Sequence, residues 1–579
     1  MPTLHWVGKD KVVRHHHDVP FKVLQREYRF ASANPSANSS TGNRIIHGDN
    51  LEALKALLPE YEGRIKCIYI DPPYNTGNEG WVYNDNVNDP RILKWLHKVV
   101  GKEGEDLSRH DKWLCMMYPR LKLLHRLLAE DGVVFVSIDR IELANLKVLF
   151  EEIFGSSNWV GEIIWRNVTD NNPTNISLEH EYILCYAKNK SQVSSAWKSA
   201  YLDVKEKLID LGSRLAAECT NVDHLKKTYS EWLKNHKNEI WPFQDYKFID
   251  FDGIYTGSRS VHNPGKEGYR YDVLHPKTGK PCTQPLMGYR FPEETMKKLI
   301  KDEKIIFGED ENKIIELKLY VKDYKAKLAS VIEMDGRAGT NEIKTIFPED
   351  RRPFNFPKPS ALIEELLGFT TGNNDIILDS FAGSGTTAHA VLKLNAQDGG
   401  KRKFILVEMM DYAETITAER VRRVMEGYGE ASPTGKGGKQ VEGLGGGFEY
   451  FTLGEALFNE DGQLNEAVGV EAILRYVAYS ERIPLAPTLL PQGEGLSEAS
   501  PLGDGQGEGH YYLGETHGVQ VYFIYQPDRA TSLDLDVLAQ LPVKPGKLVI
   551  YADQCLLGEE FMRRHGILFK KIPRDMTRF

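Results

Sequence analysis

The sequence predicts an α/β protein built on a doubly wound, mostly parallel sheet, interrupted by one large insertion and followed by a mixed α/β C-terminal region. Three observations predict it. Short apolar runs alternate with amphipathic helical segments between about residues 44 and 190. That rhythm breaks off and resumes near residue 359. Two of the runs end directly in tight turns that carry reactive or ligand-binding residue types.

Taken in order, RIKCIYI (64–70) is a compact strand. From Lys112 to Ala129 the apolar residues Leu114, Met117, Leu121, Leu124 and Leu128 recur at three- and four-residue spacing, which predicts a helix. Gly132 stands where a helix terminator belongs, and VVFVSI (133–138) follows as a strand. GEIIW (161–165) and EYILCYA (181–187) are the next strands. Residues 204–237 predict polar helix, and a Tyr-, Gly- and Pro-rich irregular stretch runs to about 292. The α/β pattern then returns as helix SALIEELL (360–367), strand DIILD (375–379), a Gly turn, helix TTAHAVLKL (386–394), strand KFILVE (403–408) and helix AETITAERVRRVME (413–426). Gly-rich stretches at 427–447 and 491–509 read as loops or linkers, and KLVIYADQ (547–554) and ILFKKIPRD (567–575) close the tail.

The pattern divides the chain into an N-terminal extension (1–43), a first α/β half (44–190), an insertion (191–345), a second α/β half (346–427) and a C-terminal region (428–579). A length of 579 residues is ample for three or more such units. No apolar run approaches the ~20 residues that span a bilayer, and the first residues lack a signal peptide's apolar stretch. Six scattered cysteines without a CxxC pair predict reduced thiols and a cytoplasmic protein. Adjacent His15, His16 and His17 cannot converge easily on one ion, so no metal site is expected. The net charge of −9 does not announce a nucleic-acid binder, but its distribution is uneven. Residues 191–352 hold 28 Lys/Arg against 26 Asp/Glu, whereas 451–579 hold 11 against 18. A phosphate-facing surface is therefore expected in the middle of the chain.

Two turns carry the chemistry. Asp71-Pro72-Pro73-Tyr74 follows the strand at 64–70, at the carboxyl end where parallel sheets bind ligands. An exocyclic amine is a poor nucleophile because its lone pair is delocalised into the ring. The Asp71 carboxylate and the Pro72 carbonyl are acceptors for both its N–H protons, Pro72 and Pro73 stiffen the backbone that carries them, and Tyr74 offers a ring to an extruded base. A plain tight turn is the competing reading. The second turn is Asp379-Ser380-Phe381-Ala382-Gly383-Ser384-Gly385-Thr386-Thr387, between a strand and a helix. Thr386 stands where a phosphate loop would carry Lys, and GSGTTA lacks the third Gly of a dinucleotide fingerprint. A smaller ligand with an amino-acid end and a nucleoside end remains, and Glu408, 23 residues beyond Gly385, can accept both hydroxyls of its ribose. S-adenosyl-L-methionine (AdoMet) fits each part.

DPPY with FAGSGTT resembles the signature pair of DNA amino-methyltransferases, in the permuted order of the β group. LHWVGKDKVVRHH (4–16), IIHGDNLEAL (45–54), HEYILCYAKN (180–189), FNFPKPSALIEELL (354–367) and GGGFEYFTLG (445–454) resemble the Mod subunits of type III restriction-modification systems. The resemblance implies an AdoMet-dependent methyltransferase fold and methylation of adenine N6 by base flipping. Asp71, Pro72, Pro73 and Tyr74 would hold the amine and the base. Phe381, Gly383, Ser384 and Gly385 would wrap the methionine portion of AdoMet, Glu408 would hold its ribose, and Asp379 and Thr386 would belong to the same cofactor site. Asp49 would lie near the adenine of the cofactor and Lys358 beside it, although a helix N-cap and a surface lysine are equally open readings of these two. It further implies a target-recognition domain in the insertion, duplex DNA as substrate, a homodimer, and a Res helicase-nuclease as partner. Cytosine N4 methylation, methylation of RNA or protein, and a catalytically silent DNA-recognition subunit are the alternatives.

Overall fold

The computed structural model describes residues 3–33, 42–76, 94, 109–167, 175–195, 197, 202–236, 240, 243–258, 261–262, 267–324, 328–429, 440–483, 510–527, 529–543, 545–573 and 575–576. The chain forms two compact units, Met1–Ser195 with Ala329–Phe579, and Ala196–Leu328.

The first unit is organised by a ten-stranded sheet. In chain order its strands are β1 (Lys22–Ala31), β2 (Arg44–His47), β3 (Ile65–Ile70), β4 (Leu128–Ile138), β5 (Trp159–Arg166), β6 (His180–Ala187), β7 (Val331–Glu333), β8 (Ile376–Asp379), β9 (Lys403–Glu408) and β10 (Gly447–Ala456). Across the sheet they run β1-β10-β2-β9-β8-β3-β4-β6-β5-β7. The pairings from β10 to β4 are all parallel, as is β5 with β7, while β1–β10, β4–β6 and β6–β5 are antiparallel. The central strands are short and apolar because both faces are covered: Ile65, Cys67, Ile68, Ile70, Ile377, Leu378, Ile405 and Leu406 are buried. Each such side chain contributes about 1.5–3 kcal/mol by leaving water. The seven helices that matter here are α1 (Asn50–Tyr61), α2 (Arg109–Leu127), α3 (Arg140–Phe154), α4 (Arg337–Ile346), α5 (Ser360–Thr370), α6 (Thr386–Asp398) and α7 (Glu419–Glu426).

This order joins two distant parts of the chain. β3 leads through α2 to β4 on one side, while β8 leads through α6 to β9 on the other. Yet β3 and β8 are neighbours, with Cys67 opposite Ile377 and Ile68 opposite Leu378. The winding reverses between them, and the carboxyl ends of strands at such a reversal are where open α/β sheets bind ligands.

Several elements differ from the sequence expectation. The helix at 112–129 is α2, which ends at Leu127, so Gly132 does not terminate it but lies inside β4. Its reason is close approach: a Cβ there would stand 2.8 Å from the Ile65 carbonyl oxygen and 2.9 Å from that of Ala129. The helix at 413–426 begins as a short 3-10 turn and a π turn before α7. β1, from the N-terminal extension, and β10, from the C-terminal region, both belong to the large sheet, because local alternation marks a strand without saying which sheet takes it. Of the Gly-rich stretches, 430–439 and all of 491–509 lie outside the described residues.

Ala196–Leu328 has its own architecture. Helices Leu202–Glu218 and Val222–His236 bury Leu208, Leu211, Leu225 and Tyr229 with Ile249 and Ile254 of a small antiparallel sheet. That sheet pairs Phe248–Asp250, Gly253–Ser258, Glu316–Tyr320 and Ile305–Ile306, so the stretch read as irregular contains strands. At the C-terminal end, His510–Thr516, Val519–Ile524, Lys547–Ala552 and Ile567–Lys571 form a four-stranded sheet. Its Leu513, Val521, Phe523, Val549 and Tyr551 join the same apolar core as α1, α2 and β3. No helix among the described residues is long and apolar enough to cross a membrane.

Candidate active site

Four neighbouring strands, β2, β9, β8 and β3, deliver the four acids singled out by sequence. Asp49 lies two residues beyond β2, Glu408 and Asp379 close β9 and β8, and Asp71 follows β3. The register aligns them: His47 pairs Glu408, Leu406 pairs Asp379, and Leu378 pairs Ile68. Residues about 300 positions apart thus meet along one edge of the sheet.

Asp71 is held in a nearly closed pocket. Lys358 Nζ donates to both of its oxygens, at 3.0 Å and 2.8 Å, and to the Tyr74 hydroxyl at 2.7 Å. The Tyr74 hydroxyl in turn donates to Glu181 Oε2 at 2.8 Å, and Asn167 Nδ2 donates to Glu181 Oε1 at 2.6 Å. Lys358 and Glu181 also form an ion pair at 3.3 Å. Lys358 is 7% exposed and Asp71 12%. Trp113 of α2 donates its indole N–H to the Pro73 carbonyl at 2.7 Å, which fixes the turn from below. Burial pushes the Asp71 carboxyl above its ordinary pKa, against the pull of the Lys358 ammonium. Burial works against the charge of Lys358, but the Asp71 and Glu181 carboxylates outweigh it and hold that pKa above the usual lysine value.

The Gly turn is fastened from three sides. Asp379 accepts from the Phe381 N–H at 3.0 Å and from the Thr387 hydroxyl at 2.5 Å, so it staples the turn to the start of α6. Glu408 accepts from the Gly383 N–H at 2.8 Å and from the Met410 N–H at 2.9 Å. Gly383 (φ 53°) and Gly385 (φ 79°) occupy the left-handed region, where a side chain would be strained. Ser384 and Thr386 turn their hydroxyls inward to Arg420 Nη1, at 2.8 Å and 2.7 Å, and the Gly383 carbonyl accepts from the Thr417 hydroxyl at 2.5 Å. No side chain caps α6. Burial raises both Asp379 and Glu408 to about 7.

Asp49 and Lys358 have different surroundings. Asp49 is a helix N-cap, accepting from the Leu51 and Glu52 N–H groups of α1 at 2.8 Å and 3.3 Å. Lys358 is not a surface lysine: its carbonyl accepts from the Thr386 hydroxyl at 3.3 Å while its ammonium sits on Asp71, so this residue bridges the two motifs. Residues that the sequence did not single out complete the site. Asn50 donates to the Ser380 carbonyl at 3.0 Å and is itself held by buried Arg120 at 2.5 Å. Arg420 donates to Glu342 at 2.8 Å behind the Gly turn. No local pattern marks these residues, because their partners lie on other elements.

Gly339 of α4 supports the segment that carries Lys358. A Cβ there would stand 2.0 Å from the Pro357 carbonyl oxygen and 2.9 Å from the Lys358 carbonyl carbon. Gly339→Ala is therefore expected to displace Pro357–Lys358 and to destabilise the protein by about 1–3 kcal/mol. Urea denaturation measures this, and an unchanged midpoint would contradict it.

The family model for N6/N4 DNA methylases matches residues 65–419. The chain is 49% identical over 416 residues to the Mod subunit of the type III restriction-modification enzyme EcoP15I of Escherichia coli, a match that covers 70% of this chain and 64% of that one. It is 32% identical over 387 residues to the Mod subunit of the StyLTI enzyme of Salmonella typhimurium, covering 64% and 52% of the two chains. The chain thus spans less than two thirds of the length of these two relatives. Among solved structures, the cytosine-N4-specific PvuII DNA methyltransferase aligns with 66% of this chain and 88% of its own, at 12% identity and a TM-score of 0.31.

Proposed function

Since the chain belongs to the N6/N4 DNA methylase family, we propose that it transfers a methyl group from AdoMet to N6 of an adenine flipped out of duplex DNA. The observation that carries this reading is the meeting of Asp71 and the Gly turn at the carboxyl ends of adjacent β3 and β8. An amine acceptor and a nucleoside-binding turn side by side are what an in-line transfer to an exocyclic nitrogen requires.

The residues of the turn fit AdoMet. Ser380 Oγ is buried without a hydrogen-bond partner among the described residues, and α6 begins without a side-chain cap, so polar groups stand ready for the amino-acid end. Glu408 accepts from the Gly383 and Met410 N–H groups, and a carboxylate's roughly four acceptor sites allow it to accept from a ribose hydroxyl as well. When bound, AdoMet supplies an electrophilic methyl group on a sulfonium. Asp71 and the Pro72 carbonyl accept the two N–H bonds of the target amine and draw its lone pair out of the ring. Tyr74 borders the base, and Asp379 keeps the turn in shape.

The target-recognition role goes to Ala196–Leu328, a compact unit whose flanking residues lead into the two halves of the methyltransferase sheet. By their names the relatives are Mod subunits of type III enzymes. On that basis the chain acts in the cytoplasm as a modification subunit, as a homodimer and with a Res helicase-nuclease.

Tritium transfer from labelled AdoMet to duplex DNA, with modified-base sequencing of DNA from cells expressing the chain, tests the proposal. N6-methyladenine at one sequence context is the expected result. N4-methylcytosine would replace the adenine reading, and no transfer would leave a recognition subunit. Cofactor affinity carries a pH signature. Glu408 holds its proton up to about pH 7 in the free protein, and ribose hydroxyls bind best to its ionised form. Binding therefore releases a proton, so affinity rises with pH up to about 7 and is level above it. Glu408→Gln is expected to weaken AdoMet binding about tenfold or more and to remove that pH dependence. Calorimetry across pH 6–8 measures both.

A further inference from the structure

Lys358 occupies the acceptor that the proposed reaction needs. Its ammonium makes hydrogen bonds to both Asp71 oxygens, at 3.0 Å and 2.8 Å, with the Tyr74 ring centroid 4.9 Å and the Trp165 ring centroid 5.6 Å away. An exocyclic amine and an ammonium are the same kind of donor, so the two compete for one carboxylate. An ammonium expelled from a buried carboxylate needs another, because an uncompensated buried charge is strongly unfavourable. Glu181 stands ready, 3.3 Å from Lys358 Nζ and already positioned by Asn167 and Tyr74.

Building on the amine-methylating reading, we infer that Lys358 is an internal stand-in for the target amine, which it yields to on Asp71 by passing to Glu181 when the base enters. In the base-free site the ammonium keeps Asp71 ionised and oriented. When the amine docks, Lys358 crosses the short distance to Glu181, and Asp71 receives the amine without ever facing the buried pocket alone. Two carboxylates share one cation, which leaves a negative charge to balance the positive charge that develops on the methylated nitrogen. Lys358 and Glu181 are positioning residues in this scheme, since Asp71 is the group that touches the amine. The other ionisable groups facing Asp71 are Tyr74, Tyr69 and Asp379; Tyr69 is paired with Ser137 at 2.8 Å and Asp379 with the Gly turn.

The test compares wild type, Lys358→Met, Lys358→Arg and Glu181→Gln in the full chain, using a duplex that carries the methylated context, with 2-aminopurine beside the target adenine to report its extrusion. Lys358→Met removes the cation that keeps Asp71 ionised, so the acid limb of kcat/KM is expected to move up by about one unit or more. Glu181→Gln removes the receiving carboxylate, so the limb is expected to stay or move down while transfer slows about tenfold or more. Its 2-aminopurine fluorescence should report less extruded base. Lys358→Arg keeps the charge but grips Asp71 with a two-pronged guanidinium, so it should leave the limb in place and still slow transfer. AdoMet affinity within about twofold of wild type in every variant separates these effects from misfolding, and Lys358→Met, which leaves Asp71 and Glu181 without their cation, is expected to melt lower than Glu181→Gln. An unshifted limb in Lys358→Met, or wild-type transfer and extrusion in Glu181→Gln, would overturn the handover while leaving the amine-methylating reading intact. No transfer by the wild type to any amine of DNA would overturn both.

Discussion

Asp71→Ala is expected to slow methyl transfer by about 10²–10⁴-fold while leaving AdoMet affinity within about threefold of wild type. The separation follows from how the site is built. Asp71 is bonded to Lys358 and lies beside Glu181 and Tyr74. The Gly turn is held by other groups, namely Asp379, Glu408 and Arg420. Truncating Asp71 also strands no cation, because Lys358 keeps Glu181 at 3.3 Å and the Tyr74 hydroxyl at 2.7 Å. The fold should therefore survive, and the loss should fall on the step in which the amine nitrogen is drawn out of conjugation. Single-turnover transfer of tritium with saturating AdoMet measures the rate, and calorimetry measures the affinity. A variant that no longer bound AdoMet would show that Asp71 belongs to the cofactor site.

The parts of this site that were legible in the sequence are those in which a strand and its turn are consecutive. Buried parallel strands are nearly uninterrupted apolar runs, so IKCIYI and KFILVE stand out, and the acids that close them can be named from spacing alone. The destination of Lys358 could not be read that way. It lies on a segment before α5, and its partners Asp71 and Glu181 come from β3 and β6, so only the strand order brings the three together. Gly132 shows the same limit from the other side. Its place after an apolar helical pattern predicts a helix terminator, yet the residue is glycine because the Ile65 and Ala129 carbonyls crowd it. Periodicity reports what a segment does with its own neighbours. A lysine that bridges two motifs, or a glycine under a carbonyl from another strand, answers to the tertiary structure.

Glu342→Ala is expected to destabilise the first unit by about 3–5 kcal/mol, because it leaves a buried guanidinium without its carboxylate. Arg420 is fully buried, and its Nη2 donates to Glu342 at 2.8 Å. Its Nη1 holds the Ser384 and Thr386 hydroxyls, so the same change should loosen the Gly turn and weaken AdoMet binding. Arg420→Met should cost less. There the remaining carboxylate keeps Lys393 at 3.1 Å and the Ser360 N–H at 3.2 Å, whereas in Glu342→Ala the arginine keeps no anion among the described residues. The pH dependence has a definite sign. Burial alone would raise the Glu342 pKa, but His389, Arg420, Lys393 and the Ser360 hydroxyl outweigh it and hold the carboxyl well below its ordinary value of 4.5. A depressed carboxyl stabilises the fold fully above its unfolded pKa and loses that contribution as pH falls toward the folded one. The gap between wild type and Glu342→Ala should thus be level above about pH 5 and shrink below about 4.5, as urea midpoints across pH 3.5–8 would record. A gap that widened in acid would mean that Glu342 is protonated in the folded protein. In that case the Gly turn would be held by Arg420 and its hydroxyl partners without the ion pair.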